Sequence, residues 1–267
     1  MTRDEGGEST PPPSNPGFRL AFVTGASAGF GAAIARKLAQ HGLRVVVAAR
    51  RGDRLRTLAS EIGQSALPFE LDVMDEKSVL TLPGTLPDGW REIDVLVNNA
   101  GLALGLGPAW EANPEDWERM VGTNVRGLMN MTRAMLPGMV ARDRGHIVNL
   151  GSIAGRYAYA GGHIYGGSKA FVEQFSLNLR ADLIGRNVRV TNIEPGLVGG
   201  TEFSAVRFDG DVERAAAVYR GTVPLNENDI AEAVLWVVRQ PAHVNINRIE
   251  MMPTCQAPQA PAVKRAP

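Results

Sequence analysis

Tyr165 and Lys169 stand four residues apart in the run Tyr165-Gly166-Gly167-Ser168-Lys169, with Ser152 ahead of them and Asn124 further upstream. On a helix this spacing puts a phenol and an ammonium on one face, one turn apart. A free phenol, with a pKa near 10, is a poor proton carrier at neutral pH. Bringing it to about 7 takes roughly 4 kcal/mol of preference for the phenolate. An ammonium about 4 Å away supplies on the order of 4 kcal/mol at an effective dielectric of about 20. The pair can therefore act as a general acid/base. Many solvated helices carry the same spacing by chance, so the reading depends on the elements around it.

Those elements alternate between strand and helix. Residues 19–24 form a short apolar run, followed by Gly25-Ala26-Ser27-Ala28-Gly29-Phe30-Gly31 and a helical pattern from Ala32 to Ala39. A glycine-rich turn between strand and helix lets a pyrophosphate approach the backbone at the helix N-terminus. The spacing is G-x-x-x-G-x-G rather than G-x-G-x-x-G, and a tight turn with no ligand is the plainer alternative. A second strand, Leu43–Ala49, ends in Arg50-Arg51, where an acid would bond the ribose of NAD. Two guanidinium groups there suit a 2′-phosphate instead and predict NADP. A third strand ends at Leu71-Asp72-Val73, and a fourth, Ile93–Val97, runs into Asn98-Asn99-Ala100-Gly101. The alternation predicts one α/β domain, a doubly wound parallel sheet of the Rossmann type, with ligands at the carboxyl ends of its strands. Asp72 can accept from an adenine amino group; the asparagines suit either a cofactor or a structural role.

Thr24-Gly25-Ala26-Ser27-Ala28-Gly29-Phe30-Gly31, Asn98–Gly101, Asn124, Ser152, Tyr165-x-x-x-Lys169 and Pro195-Gly196 occur together and in order. Over about residues 18–252 this pattern resembles the short-chain dehydrogenases/reductases. The resemblance implies that Tyr165 is the acid/base, that Lys169 lowers its pKa and holds the nicotinamide ribose, and that Ser152 bonds the substrate carbonyl. It implies that Asn124 completes a water-linked proton relay. It also implies a cofactor surface made by Gly25, Ser27, Gly29, Phe30, Gly31, Arg50, Arg51, Asp72, Val73, Asn99, Ala100, Gly101, Tyr165, Lys169, Pro195, Gly196, Val198 and Thr201. The stretches Asn98–Gly105, Pro195–Phe203 and His243–Pro253 are similar to the NADP-dependent 3-hydroxy acid dehydrogenases, which oxidise serine and allo-threonine and reduce malonic semialdehyde. Two departures stand out. Thr201 lies six residues after Pro195 where many members have five, and Gly166 and Gly167 sit inside the catalytic helix at about 1 kcal/mol each. Their cost implies a close approach by the cofactor or a neighbouring element.

A 3-hydroxy acid substrate requires a cation or convergent donors for its carboxylate. Arg207 and Arg156 are the candidates, on the loops that follow Thr201 and Ser152, and Phe203–Arg220 is the expected substrate lid. His163 reads as a helix-start or wall residue, and Tyr159 as a possible pocket lining. The resemblance then implies hydride transfer between nicotinamide and substrate carbon, with Tyr165 moving the proton and Ser152 steadying the oxygen. No metal is called for: His41, His146, His163 and His243 are scattered without ligand spacing.

Of 267 residues, 28 are basic and 28 acidic, which argues against nucleic-acid or membrane-surface partners. Cys255 is the single cysteine, so no intrachain disulfide forms, in keeping with a reducing cytoplasm. No apolar run reaches the roughly 18 residues of a membrane span, and the N-terminus lacks an apolar signal core. Residues 1–17 read as a disordered tail and 18–253 as the NADP-binding domain. Residues 254–267 read as a second tail, free or lying at a subunit boundary. The resemblance implies a homotetramer or homodimer joined through helices 114–141 and 163–184. Two other readings stand beside the 3-hydroxy acid one: an NADPH-dependent reductase of another carbonyl, such as a 3-oxoacyl thioester or small ketone, and a non-catalytic NADP-binding sensor. The sensor has no need to keep Ser152, Tyr165 and Lys169 together.

Overall fold

Short apolar runs separated by helical segments force parallel pairing, because each strand must return to the same end of the sheet before the next begins. The structure, a computed structural model in which residues 17–258 are described, shows the result. Strands β1 (Leu20–Thr24), β2 (Arg44–Ala49), β3 (Ala66–Glu70), β4 (Val95–Asn98), β5 (Gly145–Leu150), β6 (Val188–Pro195) and β7 (Arg248–Met251) form one sheet. Its order is β3-β2-β1-β4-β5-β6-β7, and neighbouring strands are parallel throughout. Helices α1 (Gly29–Gln40), α2 (Gly52–Ile62), α3 (Glu76–Thr85), α4 (Pro114–Val121), α5 (Leu128–Ala141), α6 (His163–Asp182), α7 (Phe203–Arg207), α8 (Val212–Ala217) and α9 (Glu227–Val238) make the connections.

Strands β1, β5 and β6 are buried along their whole length, as a sheet covered on both faces requires. Successive side chains feed opposite cores. Val23, Val45, Val47 and Val97 pack with α1 and α9 on one face. Phe22, Val46, Leu96 and Ile147 pack with α3 and with Met131, Met135 and Met139 of α5 on the other. Each fully buried Leu, Ile or Phe contributes about 1.5–3 kcal/mol of transfer free energy. The site is thus carried on a rigid platform.

The observed elements differ from the sequence expectations in several places, the third strand among them, which ends at Glu70 before Leu71-Asp72-Val73. The fourth strand starts at Val95, not Ile93, because the buried Asp94 carboxylate accepts from the Arg19 and Leu20 amides (2.7 and 3.2 Å) and pairs with Arg144 (2.9 Å). The expected helix over 114–141 is interrupted by a π-helical turn at Gly122–Gly127. Helix α6 stops at Asp182 rather than 184. The packed chain also runs past Pro253: the Gln256 side chain accepts from the Leu197 amide (2.7 Å), so residues 254–256 return to the fold instead of trailing away. Of the expected tails at 1–17 and 254–267, residues 1–16 and 259–267 lie outside the described residues. No helix among the described residues is long and apolar enough to cross a membrane.

Candidate active site

The strand order reverses between β1 and β4, and there the loops part to leave a crevice at the carboxyl ends of the strands. The glycine turn after β1 forms its floor. Gly25 has φ +66°, and a Cβ there would sit 2.9 Å from Ala100 Cα. A Cβ on Gly31 would overlap the Gly25 carbonyl oxygen and lie 2.6 Å from Asn99 Nδ2. The chain itself, before any ligand, demands glycine at both positions. Ala28 caps α1 without a side-chain bond, so the first-turn amides keep their donors for an anion in the cleft.

Thr24 and the asparagines hold this turn. Thr24 Oγ1 accepts from the Asn99 and Ala100 amides (3.0 and 2.9 Å), and Asn99 Nδ2 donates to the Thr24 carbonyl (2.8 Å). Buried Asn98 donates to Asn149 Oδ1 (2.9 Å), whose amide reaches Ser176 (2.8 Å). Asn98 is therefore a strut of the central sheet, whereas Asn99 both staples the turn and faces the cleft.

The cleft has a volume of about 380 Å³. Its wall brings together Gly25, Ser27, Gly29, Phe30, Arg50, Arg51, Asp72, Val73, Asn99, Ala100, Gly101, Tyr165, Lys169 and Thr201, as the sequence predicts. Thr201 reaches it despite the extra residue before it: its side chain lies 3.5 Å from where a Gly29 Cβ would be, and Gly200 turns at φ +75°. Gly31, Pro195, Gly196 and Val198 do not form the wall. The Gly196 amide bonds the Met251 carbonyl (2.8 Å), and Val198 packs into the core and bridges to Leu225. Gly196 and Val198 thus tie the loop to its neighbours.

At the far end, α6 carries Tyr165 and Lys169 with only 9% and 8% of their surface exposed. Lys169 Nζ donates to the Leu150 carbonyl (2.6 Å) and lies 5.8 Å from the centre of the Tyr165 ring. Burial pulls its ammonium down to about 8. Burial also pushes the Tyr165 phenol up to about 12; a hydrogen bond with Ser152 and the charge of Arg207 oppose that shift. The Lys169 ammonium, with one of its donors on the Leu150 carbonyl, is not among the groups that oppose that shift. Ser152 Oγ accepts from the Ala154 amide (3.1 Å), which orients the hydroxyl. Asn124 sits in the π turn, exchanging hydrogen bonds with the Leu102 backbone (both 2.9 Å) and donating to Ser168 Oγ (3.0 Å). A π turn of this kind re-aims one side chain out of the regular helical ladder. Here it aims Asn124 at Gly101, whose Cβ position would lie 3.3 Å from Asn124 Oδ1 and 3.6 Å from Lys169 Nζ.

Residues 19–211 match the family described as short chain dehydrogenase. The chain belongs to that family. Among its relatives, the NADP-dependent 3-hydroxy acid dehydrogenase YdfG of Salmonella typhi is 58% identical, with 89% of this chain and 96% of the relative covered. The serine 3-dehydrogenase of Agrobacterium fabrum is 48% identical, with 88% and 94% covered. A solved structure described as the closed form of serine dehydrogenase complexed with NADP⁺ superposes with a TM-score of 0.88 at 55% identity. It covers 89% of this chain and 96% of its own.

The two candidate carboxylate clamps of this dehydrogenase part company. Arg156 is bound to Glu173 and lies 3.5 Å from buried Glu194, so its guanidinium is already taken by carboxylates of the chain. This corrects its expected role. Burial, with repulsion from Glu173, pushes Glu194 up to about 7 despite Arg156. Arg207 instead leans over the chemical end, with its guanidinium carbon 5.6 Å from the Tyr165 ring centre and Nη2 donating to Tyr159 Oη (2.7 Å). His163 packs on Trp117 (5.1 Å between ring centres) at the start of α6. Gly166 answers the close-approach question: a Cβ there would lie 2.8 Å from the Ala154 carbonyl oxygen, whereas Gly167 has open space. The expected lid contains α7 and α8, and Phe203 tilts against Tyr165 (5.7 Å between centres). Glu202, Arg54 and Arg119 escaped sequence reasoning. Arg119 and Glu202 line the cleft, and Arg54 reaches it only by pairing with Glu202 (2.5 Å). The only local signal was Arg54 itself, one turn into the helix that follows Arg50-Arg51.

Proposed function

We propose that this chain is an NADP-dependent dehydrogenase that interconverts short 3-hydroxy acids, such as serine, allo-threonine or 3-hydroxypropionate, with their 3-oxo acids or semialdehydes. One observation carries the substrate class: Arg207 holds a guanidinium beside the phenol at the chemical end of the cleft, 5.6 Å from the ring centre. A carboxylate taking the place of Tyr159 Oη on that fork gains a charge-assisted bond. The names of the relatives from Salmonella and Agrobacterium support the same class. Arg50 and Arg51 at the end of β2, together with the uncapped start of α1, fit a nucleotide with a pyrophosphate and a 2′-phosphate.

NADP, when bound, supplies or accepts the hydride. The chain's own residues handle the proton and the charge. With its phenol held near 12, Tyr165 keeps its proton at neutral pH and is set to donate it to a carbonyl oxygen. Ser152, oriented by the Ala154 amide, donates to the oxygen that becomes alkoxide-like. In the oxidative direction Tyr165 must first lose its proton, so oxidation gains from alkaline conditions. Lys169 and Asn124, which meet beside Gly101, complete the assignment as the groups for the nicotinamide ribose and for a water-linked proton relay.

The closing test is NADP⁺ reduction with L-serine, L-allo-threonine and 3-hydroxypropionate, with NAD⁺ as control. Turnover with NADP⁺ alone is the expected outcome. Silence on all three acids, with NADPH still bound, would redirect the search to neutral ketones and remove Arg207 as a clamp. We further propose a cytoplasmic homo-oligomer with no nucleic-acid or membrane partner. The balanced charge and lone cysteine support the first part, and the stacked Phe171–Phe175 pair on α6 supports the second.

A further inference from the structure

The cationic end of the cleft holds an anion of the chain's own. Arg51 sets Nε and Nη2 on Ser27 Oγ (3.1 and 3.0 Å) and gives Nη1 to Glu202 Oε2 (2.9 Å). The other oxygen, Glu202 Oε1, takes Arg54 Nη1 (2.5 Å). Glu202 arrives from across the molecule: it precedes α7, and its partners follow β2 and enter α2. A carboxylate and a phosphate make the same demand on a guanidinium fork, two oxygens facing two N–H donors. Arg54 and Arg51 hold the Glu202 carboxyl below the usual carboxylate range, so it is charged at neutral pH.

We propose that Glu202 is a specificity-determining residue that stands in for the cofactor's 2′-phosphate, so that carboxylate and phosphate compete for Arg51 and Arg54. The inference rests on the reading of this cleft as an NADP site. A nucleotide with a 2′-phosphate brings more negative charge than one carboxylate, so it either displaces Glu202 or is repelled by it. A nucleotide without that phosphate leaves the ion pairs in place. Glu202 is followed directly by Phe203, which packs on Tyr165, and the lid carries Arg207 onto the same ring. Displacing the carboxylate therefore loosens the attachment of the chain at the residue just before the lid. The free protein meets the two cofactors differently: NADP has to break a pre-formed contact that NAD does not touch.

The opposite role is equally concrete. Glu202 could brace the two arginines in the geometry that reads the phosphate, in which case its removal weakens phosphate binding. Calorimetric titration of adenosine 2′,5′-bisphosphate and of 5′-AMP separates the two. Glu202→Gln removes the charge and keeps the shape; Glu202→Ala removes both. Competition predicts that both variants bind the bisphosphate about five-fold more tightly than the natural protein, the scale of an exposed ion pair, with 5′-AMP unchanged. Unchanged or weaker bisphosphate binding in the variants overturns the proposal. If the natural protein binds bisphosphate no better than 5′-AMP and the variants do not improve on it, the NADP reading falls as well. The same calorimeter thus tells the two failures apart. Circular dichroism melting of each variant confirms that the titrated protein is folded.

Discussion

The two ends of the cleft solve opposite electrostatic problems. At the phosphate end, Arg51, Arg54 and Glu202 meet with side chains 43–45% exposed. Ion pairs so wet are worth about 0–1 kcal/mol each, exchange partners readily and weaken with salt. At the chemical end, Tyr165, Lys169 and Asn124 are each less than a tenth exposed. Burial there moves the phenol to about 12 and the ammonium to about 8. Recognition of a diffusing anion suits the wet end, where partners can be traded at small cost. Proton transfer needs the dry end, where a neighbouring charge or dipole has several times the leverage it has in water.

Four experiments break or sharpen that contrast, and the largest effect belongs to the dry end. Tyr165→Phe removes the proton carrier and leaves the ring in its place, so kcat falls about 100- to 10,000-fold while NADPH affinity holds. Turnover near the natural rate would end the acid/base assignment.

Lys169 provides the next test, through stability. Its folded pKa of about 8 lies below the ordinary 10.5, so between those values the unfolded chain binds more protons and stability rises with pH. Below pH 8 the buried charge costs up to about 3 kcal/mol. Lys169→Met should therefore gain stability over the natural protein at pH 7, with the margin narrowing from pH 8 to 10.5. Denaturant melts across that range check the sign. A margin that stays flat would mean that the ammonium is not held down by burial.

At the wet end, Arg50→Ala with Arg51→Ala should weaken NADPH by about ten-fold or more and NADH by far less. Equal losses would remove the 2′-phosphate from this corner. The smallest effect is that of salt. Raising ionic strength from about 0.05 to 0.5 M should raise the NADPH dissociation constant a few-fold and leave the saturated rate nearly unchanged, because screening reaches exposed charges far more than buried ones. A rate that falls in step with affinity would place the chemical end in contact with bulk solvent.

The outcome of reading the sequence divides along the same physical line. The glycine turn, the strand end at Asn98, and the Tyr165–Lys169 face were legible because each depends on spacing within one strand, turn or helix. Gly31 illustrates this: its neighbour is the Gly25 carbonyl only a turn away. Arg156 and Arg207 could not be separated from sequence, since each is a lone arginine on a loop. The difference is that Arg156 meets Glu173 and Glu194, whereas Arg207 meets Tyr159. The packing of Val198 was hidden for a related reason: it follows a cofactor-loop motif, and only the fold shows its isolated bridge to Leu225. The Lys169 ammonium shares a helix face with Tyr165, yet the carbonyl of Leu150 on the neighbouring strand decides where it points.

By itself, then, the sequence determined the architecture, the candidates for proton handling and the charge at the end of β2. Backbone geometry and burial pattern act over a few residues at a time, and they are written locally. Tertiary structure alone decided which arginine faces the phenol, that Asn124 is presented by a π turn, and that Glu202 meets Arg51 and Arg54 from 148 or more positions along the chain. Those meetings depend on how far apart two loops stand once the sheet has closed, a distance that no local pattern encodes.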